Sequence, residues 1–484
     1  MPPRFKEFYK PVPTSREVRQ RRLSHERQLR SLQREQVFMG KRLCFRTPQE
    51  SETESEYEFT PSDTTEIISG LKSTKHDVRV SSLTSLSTRL EQPSEEVRNF
   101  IQDQGVELLI GFLNSTDADE KLQSLWCLTN IAAGEPGIAQ TALAAVPYLL
   151  ALLSSEDAEI QNQAIWAVGN LAAEGESARN QLFANGVLNP LVNVVMNTTD
   201  STLLQTACFA LSNMARMPNS YFNRLFDMDV PQSIARQLVQ FKDDMGCVTE
   251  LAWVCTYLTA ASNSHQIDQI MATGAIETFL SCATKSSDIA NTALIPIIRT
   301  LGNIAAGTDA QTHSLVSQEK FVQLLVRSIE KTSSRAIEKE SLWVLSSVTA
   351  GSKADVNTMV NAGIITDLAR IIEKQNFDLK KEAAYSLLNI AIVGQRISDL
   401  PNRDLVPEFV EFVNSQDVEL VRMGIQYIAL LFEQLPDRQG PELLRGVAGG
   451  IDALENQVAV TDDDNARSIL SALIDDFYAE GSMM

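Results

Sequence analysis

Apolar and polar positions run along this chain with helical spacing, and the helical pattern itself returns. Ser124-Leu125-Trp126-Cys127-Leu128-Thr129-Asn130-Ile131-Ala132-Ala133-Gly134 comes back forty residues later as Ala164-Ile165-Trp166-Ala167-Val168-Gly169-Asn170-Leu171-Ala172-Ala173-Glu174-Gly175. Weaker echoes follow at Phe209…Asn213, Trp253…Tyr257, Arg299…Asn303, Trp343…Ser347 and Tyr385…Asn389. In each, a large side chain (once an arginine) stands four residues before an amide, a Tyr or a Ser. The steps between the first members are 40, 43, 44, 46, 44 and 42. A fixed period in this range marks a solenoid of helical repeats.

Each repeat reads as three helices. A short one opens it. A second ends near a glycine turn at Gln104-Gly105, Asn185-Gly186, Thr273-Gly274 or Ala362-Gly363. A third, longer helix carries the aromatic and the amide and stops at Gly134, Gly175, Gly307 or Gly351 in the manner of a glycine cap. Three helices per 40–46 residues is the armadillo type. The expectation is an all-α, right-handed armadillo-repeat superhelix of about ten repeats over residues 72–480. Its first repeat (around Leu83–Leu90) and its last (Gly450 to Tyr478) are atypical, as end caps are.

The stretch before the array has a different composition. Residues 1–13 hold four prolines and read as extended. From Thr14-Ser15-Arg16-Glu17, a capping-box pattern, a basic helix of about 25 residues follows, with Val18, Leu23, Leu29 and Leu32 too sparse to form a core. It reads either as a solvated charged helix or as one that orders on a partner. Residues 47–71 contain no Lys or Arg and read as a flexible acidic linker. The net charge of −20 is therefore uneven: +9 over residues 1–46 and −29 over the rest. An acidic body argues against nucleic acid and for basic partners, the chain's own arm included.

The remaining chemistry is sparse. Cys44, Cys127, Cys208, Cys247, Cys255 and Cys282 show no paired or zinc-ligand spacing and read as buried free thiols in a reducing compartment. The four histidines lie far apart, and no nucleophile elbow or phosphate loop is present, so no enzyme, metal or cofactor is expected. No apolar run of about 18 residues marks a membrane span.

Positions i and i+4 share one helix face. Repetition in successive third helices would line up rings and amides along one side. Along such a ladder the amides could bond an extended peptide's backbone, while the rings flank lysine or arginine stems. Glu250, Glu340 and Glu382 stand three residues before Trp253, Trp343 and Tyr385, placed to hold ammonium ends. The competing reading makes the rings core.

These residues resemble the importin-alpha family. Ser15-Arg16-Glu17-Val18-Arg19-Gln20-Arg21-Arg22, continuing to Lys41-Arg42, is similar to the family's importin-beta-binding (IBB) domain, here residues 1–46. Leu125–Gly134, Ile165–Gly175, Arg299–Gly307, Ile337–Trp343 and Lys380–Tyr385 resemble its repeats, and Gly449–Asp452 through Asp476–Tyr478 its last repeat. A divergent importin-alpha-like branch named for transmembrane and coiled-coil segments is also similar, through Arg34-Glu35-Gln36…Lys41-Arg42-Leu43. The lack of a membrane span argues against carrying over that name's location.

The resemblance implies a nuclear import adaptor that shuttles between cytoplasm and nucleus. Arg16, Arg19, Arg21, Arg22, Arg27, Arg30 and Arg34 would bind importin-beta, and Lys41 and Arg42 would occupy the chain's own groove as an autoinhibitor. The major cargo site for basic nuclear localisation signals would involve Trp126, Asn130, Trp166, Asn170, Asn180, Phe209, Asn213, Glu250 and Trp253. The minor site would involve Arg299, Asn303, Glu340, Trp343, Ser347, Glu382, Tyr385 and Asn389. The last repeat would take the family's export receptor. Four departures stand out: Phe209 and Tyr385 where the family has Trp, Ser347 where it has an amide, and Asn180 where it has the Asp that pairs with the central cargo lysine. Losing that Asp removes a contact of about 1.5–3 kcal/mol. The rival readings are an armadillo scaffold for non-nuclear peptides and a pseudo-adaptor that binds importin-beta but little cargo.

Overall fold

The computed structural model describes residues 61–479 apart from 92, 217–219, 286–291, 331–333 and 375–376. The basic arm, including Lys41 and Arg42, and the linker up to residue 60 lie outside the described residues. Among the described residues every regular element is helical. The tail of the stretch read as linker is not linker: Pro61–Leu71 forms a helix. Leu71 is buried, and Thr64 accepts a 2.9 Å hydrogen bond from Arg89 Nη1. Ile67, Ile68 and Leu71 give it an apolar side that the surrounding acidic composition hid.

Ten long helices set the period. They are α1 (His76–Arg89), α2 (Ala118–Ala133), α3 (Ala158–Ala173), α4 (Ser201–Met214), α5 (Met245–Ala261), α6 (Leu294–Ala305), α7 (Arg335–Thr349), α8 (Phe377–Ile392), α9 (Val418–Gln434) and α10 (Asp464–Tyr478). Between them run the shorter first and second helices, as at Glu176–Ala184 and Leu188–Asn197 before α4. This is the all-α armadillo repeat. The residues fall into two compact units, one ending at Cys282 and the other beginning at Ala283. Within the first, α1 to α5 pack each on the next; within the second, α6 to α10 do the same.

The long helices start where an aspartate caps them. Asp117, Asp157, Asp200, Asp244, Asp417 and Asp463 each accept hydrogen bonds from backbone N–H groups of the first turn of α2, α3, α4, α5, α9 and α10. Such a cap satisfies donors that the helix cannot, and its loss costs about 1 kcal/mol. The interiors use small and branched side chains: Ala164, Ile165, Ala167, Val168, Leu171 and Ala172 of α3 are all fully buried.

The glycines act differently from the sequence expectation. Gly186, Gly274 and Gly363 take left-handed φ of 85°, 79° and 89°, but they close the first helix of a repeat, not the second. Asp229, at φ 59°, does the same between Phe222–Asp227 and Val230–Gln240. Gly105 makes no turn: its φ is −63°, and a π-turn at Ile101–Gly105 feeds directly into Val106–Leu113. Gly134, Gly307 and Gly351 are not left-handed caps either. There the last turn tightens, and each donates its N–H three residues back, to Ile131, Ile304 and Val348.

Candidate functional site

The ladder is built around the residue one position before the amide position, which is small on α2 to α7 and is Leu388 on α8. On α3 this is Gly169, and on α6 it is Gly302. A Cβ at Gly169 would lie 2.7 Å from Cε1 of Phe209 on α4, and one at Gly302 would lie 1.9 Å from Cζ3 of Trp343 on α7. The aromatic of one long helix therefore rests on the bare backbone of the helix before it.

The same residue receives the amide. Asn213 Nδ2 donates to the Gly169 carbonyl at 3.1 Å. Asn170 donates to Thr129 at 3.2 Å, Asn130 to Ser87 at 2.7 Å, and Asn389 to Ser346 at 3.1 Å. Each acceptor sits one position before the ladder's amide position in the preceding repeat. A helical carbonyl has a second lone pair to give, so the bond costs the helix nothing. Aromatic and amide thus clamp successive repeats together from one face.

This changes the expectation that the amides are open to a ligand. Asn170 and Asn213 are 0% exposed, and their NH₂ groups are used within the chain; Asn130 and Asn389 are half-buried. The Oδ1 atoms of Asn170 and Asn213 have no hydrogen-bond partner in the structure. Each is an acceptor only, and each is covered by the chain itself.

The rings are mostly covered. Trp166, Trp253 and Trp343 are buried, while Trp126, Phe209 and Tyr385 are half-buried. Trp126 and Trp166 meet at 6.3 Å between centroids, tilted by 52°. Trp253 stacks on Tyr257, the residue in the amide position of α5, at the same distance. Glu250 is half-buried on α5; its charge adds to burial in pushing the Cys208 thiol of α4 well up. The five cysteines among the described residues are free and buried. Asn180, on Glu176–Ala184, is half-buried with its Oδ1 unpartnered, a neutral acceptor where a carboxylate was looked for.

In the second unit several acidic groups are already engaged. Glu340, expected to hold a cargo ammonium, is gripped by Arg299. Both Nε and Nη2 reach its Oε1, at 3.0 and 2.9 Å, with both side chains about a tenth exposed or less. Glu382 accepts from Ser346 Oγ at 3.3 Å. Asp378 is held by Arg335 at 2.7 Å and Lys339 at 3.1 Å, and Glu408 by Lys380 at 2.6 Å. Tyr385 donates its hydroxyl to Glu419, which Lys381 also holds. Burial pushes Glu419 up, but these two hydrogen bonds and the lysine charge outweigh it and hold the carboxyl below its usual range. Ser347 donates to the Trp343 carbonyl of its own helix at 3.1 Å, so it makes no clamp; Asn303 is half-buried beside Gly302.

At the C-terminal end, Tyr478 of α10 is exposed and donates to Glu455 at 3.0 Å, while Arg445 lies over the Phe477 ring. Among the described residues no helix is long and apolar enough to cross a membrane, and no three His, Cys, Asp or Glu residues converge on a metal position.

Comparison with known proteins agrees with this geometry. The TMCO6 family model matches residues 66–474. Importin subunit alpha-2 of Oryza sativa subsp. japonica is 34% identical over 423 residues, spanning 83% of this chain and 78% of its own length. Importin subunit alpha-9 of Arabidopsis thaliana is 30% identical over 395 residues, spanning 78% and 74%. A crystal structure of an engineered protein superposes with a TM-score of 0.72 over 86% of this chain and 98% of its own, at 23% identity, a likeness of fold.

Proposed function

Because the chain belongs to the importin-alpha family, and to the TMCO6 family whose model spans most of it, we propose that it is a nuclear import adaptor working between cytoplasm and nucleus. In this reading the face carrying Trp126, Asn130, Trp166, Asn170, Phe209, Asn213 and Trp253 takes an extended, lysine-rich nuclear localisation signal. The basic helix of residues 1–46 docks importin-beta, and Lys41-Arg42 competes with cargo for the groove. The last repeat, with α10, takes the export receptor. The supporting observation is that Trp126, Asn130 and Phe209 stay half-buried on the face where successive long helices are clamped, which leaves rings and an amide within reach of a ligand. Partly exposed rings held by the scaffold suit the apolar stems of lysine side chains along an extended strand, at little entropic cost.

The test is a titration of the full chain, and of a chain lacking residues 1–60, with a lysine-rich nuclear-signal peptide at fixed ionic strength, since the contact is screened by salt. Tight binding by the shortened chain and weak binding by the full chain support a gated adaptor. Binding by neither refutes it. A pull-down of importin-beta with residues 1–46 then separates a pseudo-adaptor, which binds, from an armadillo scaffold, which does not. The pseudo-adaptor has its own support in the neutral Asn180 and in Ser347, which bonds its own helix.

A further inference from the structure

Four non-glycine residues among those described take a positive φ, and two of them are neighbours: Asp437 (φ 50°, ψ 35°) and Arg438 (φ 58°, ψ 24°). Both sit in the left-handed region, which a residue with a Cβ enters only at a cost. They make the turn between α9 and the short helix Gln439–Arg445. That turn aims Arg438 at the far end of α10, 38 residues further on. Its Nη1 donates to Asp476 Oδ1 at 3.0 Å, and its Nη2 to the Asp476 carbonyl. From the end of the same short helix, Arg445 Nη2 donates to the Phe477 carbonyl at 2.9 Å, and its guanidinium lies 4.9 Å from the Phe477 ring centroid. The last carbonyls of a helix have no partner within it, and its C-terminal end attracts cations. Two guanidinium groups thus grip the last turn of α10.

We infer that the Asp437-Arg438 turn is a strained latch on α10. The grip on Asp476 holds the turn left-handed, and the strain in the turn favours release. The last repeat then has two arrangements: α10 gripped with the turn left-handed, and α10 loose with the turn relaxed. Backbone strain of this kind persists only where surrounding contacts over-determine it, and switch regions are among the places where it collects. The inference concerns α10 alone and stands whether or not the chain is an adaptor.

A second feature bears on the same turn. Gly440, two residues on, is pressed against the end of α9: a Cβ there would lie 2.5 Å from the Leu431 carbonyl oxygen and 2.8 Å from the Phe432 nitrogen. If that seat alone imposed the turn, the strain would remain when α10 lets go and would not favour release. The geometry points instead to the grip. Arg438 is both a left-handed residue and the gripping one, so a return to right-handed φ re-aims its Cα–Cβ bond and withdraws the guanidinium. Strain and grip move together.

The experiment is hydrogen exchange of the full chain, read by mass spectrometry over α10, where the rate reports how often the helix opens. Three variants are compared with the parent: Arg438→Ala, Asp437→Gly and the two combined. Arg438→Ala should speed exchange of α10 about tenfold, the step that one charge-assisted contact brings, while α2 to α5 keep the parent rates and show that the chain is folded. Asp437 is exposed, and glycine takes the left-handed turn without the Cβ penalty, so Asp437→Gly should slow exchange of α10 about threefold or more. In the Arg438→Ala chain the turn is already relaxed, so adding Asp437→Gly should change the rate less than about twofold. Equal slowing in both chains would overturn the latch and assign the turn to the Gly440 seat. Exchange of α10 left unchanged by Arg438→Ala, or not slowed by Asp437→Gly in the parent, would overturn it as well. If Arg438→Ala does not fold, Arg438→Lys, which keeps the charge but loses the two-pronged fork, takes its place in the same comparison with a smaller acceleration.

Discussion

Gly302→Ala isolates the seat on which a ladder aromatic rests. The added methyl would stand 1.9 Å from Trp343 Cζ3, 2.6 Å from Cε3 and 3.0 Å from Cη2. Carbon atoms settle at about 3.5–4.0 Å, so the indole must retreat by about 2 Å. Trp343 is buried, so it has little room to do so. Overpacking of this kind costs about 1–3 kcal/mol. Replacing a helical glycine by alanine returns about 1 kcal/mol of backbone entropy, which leaves the variant between neutral and about 2 kcal/mol less stable. Gly111→Ala supplies the control: it too is helical, and its Cβ would meet nothing within 4 Å. That variant keeps the entropic gain alone. The two should differ by about 1–3 kcal/mol, and each kcal/mol moves a thermal midpoint by about 2–4 °C in a unit of this size. Heating monitored by circular dichroism gives the midpoints, and tryptophan emission reports the indole's new surroundings. A Gly302→Ala chain that melts with Gly111→Ala, its emission unshifted, would refute the close seat.

Three further outcomes are expected. Asn213→Ala removes the buried bond to Gly169 and should cost about 1–3 kcal/mol in urea unfolding, while Asn197→Ala, whose bonds are exposed and local, should cost less than 0.5 kcal/mol; equal costs would contradict the clamp. Asp200→Ala, which removes the cap on α4, should lower stability by about 1 kcal/mol, with Asp200→Asn close to the parent chain. Burial pushes the Asp378 carboxyl up, but hydrogen bonds and charge from Arg335 and Lys339 outweigh it and hold it below its usual range. A depressed folded pKa means that its contribution is present above about pH 4 and disappears as pH falls through the folded value. Asp378→Asn should therefore flatten the acid-side loss of thermal midpoint, and an unchanged profile would count against the pairing.

The period was the most legible part of the structure, because a solenoid repeats its signal every 40–46 residues and errors in one copy are corrected by the next. Ten long helices, the armadillo type and the positions of the aromatics and amides all followed from it. The caps also show in the sequence: an aspartate stands immediately before six of the long helices. So does the seat, since Ser87, Thr129, Gly169, Ser212, Thr256, Gly302 and Ser346 form a file of small residues one position before the ladder's amide position. Helix Pro61–Leu71 is masked in the sequence by the acidic composition around Ile67, Ile68 and Leu71. Which carboxylates are engaged was not legible at all. Glu340 and Arg299 are 41 residues apart, and only the stacking of α6 on α7 brings them to 2.9 Å. Likewise, sequence could not tell that the NH₂ of Asn170 or Asn213 was already used, because its acceptor belongs to the repeat before.

That backward reach gives the chain a grammar for growth. Each clamp spans 41 to 44 residues and refers only to the repeat immediately before it. Duplicating or excising one whole repeat within either unit leaves every remaining amide facing a carbonyl of the right kind. Cutting or adding part of a repeat strands an amide against the wrong turn. Length can therefore change in evolution, or by splicing in the laboratory, in whole modules and by no smaller step.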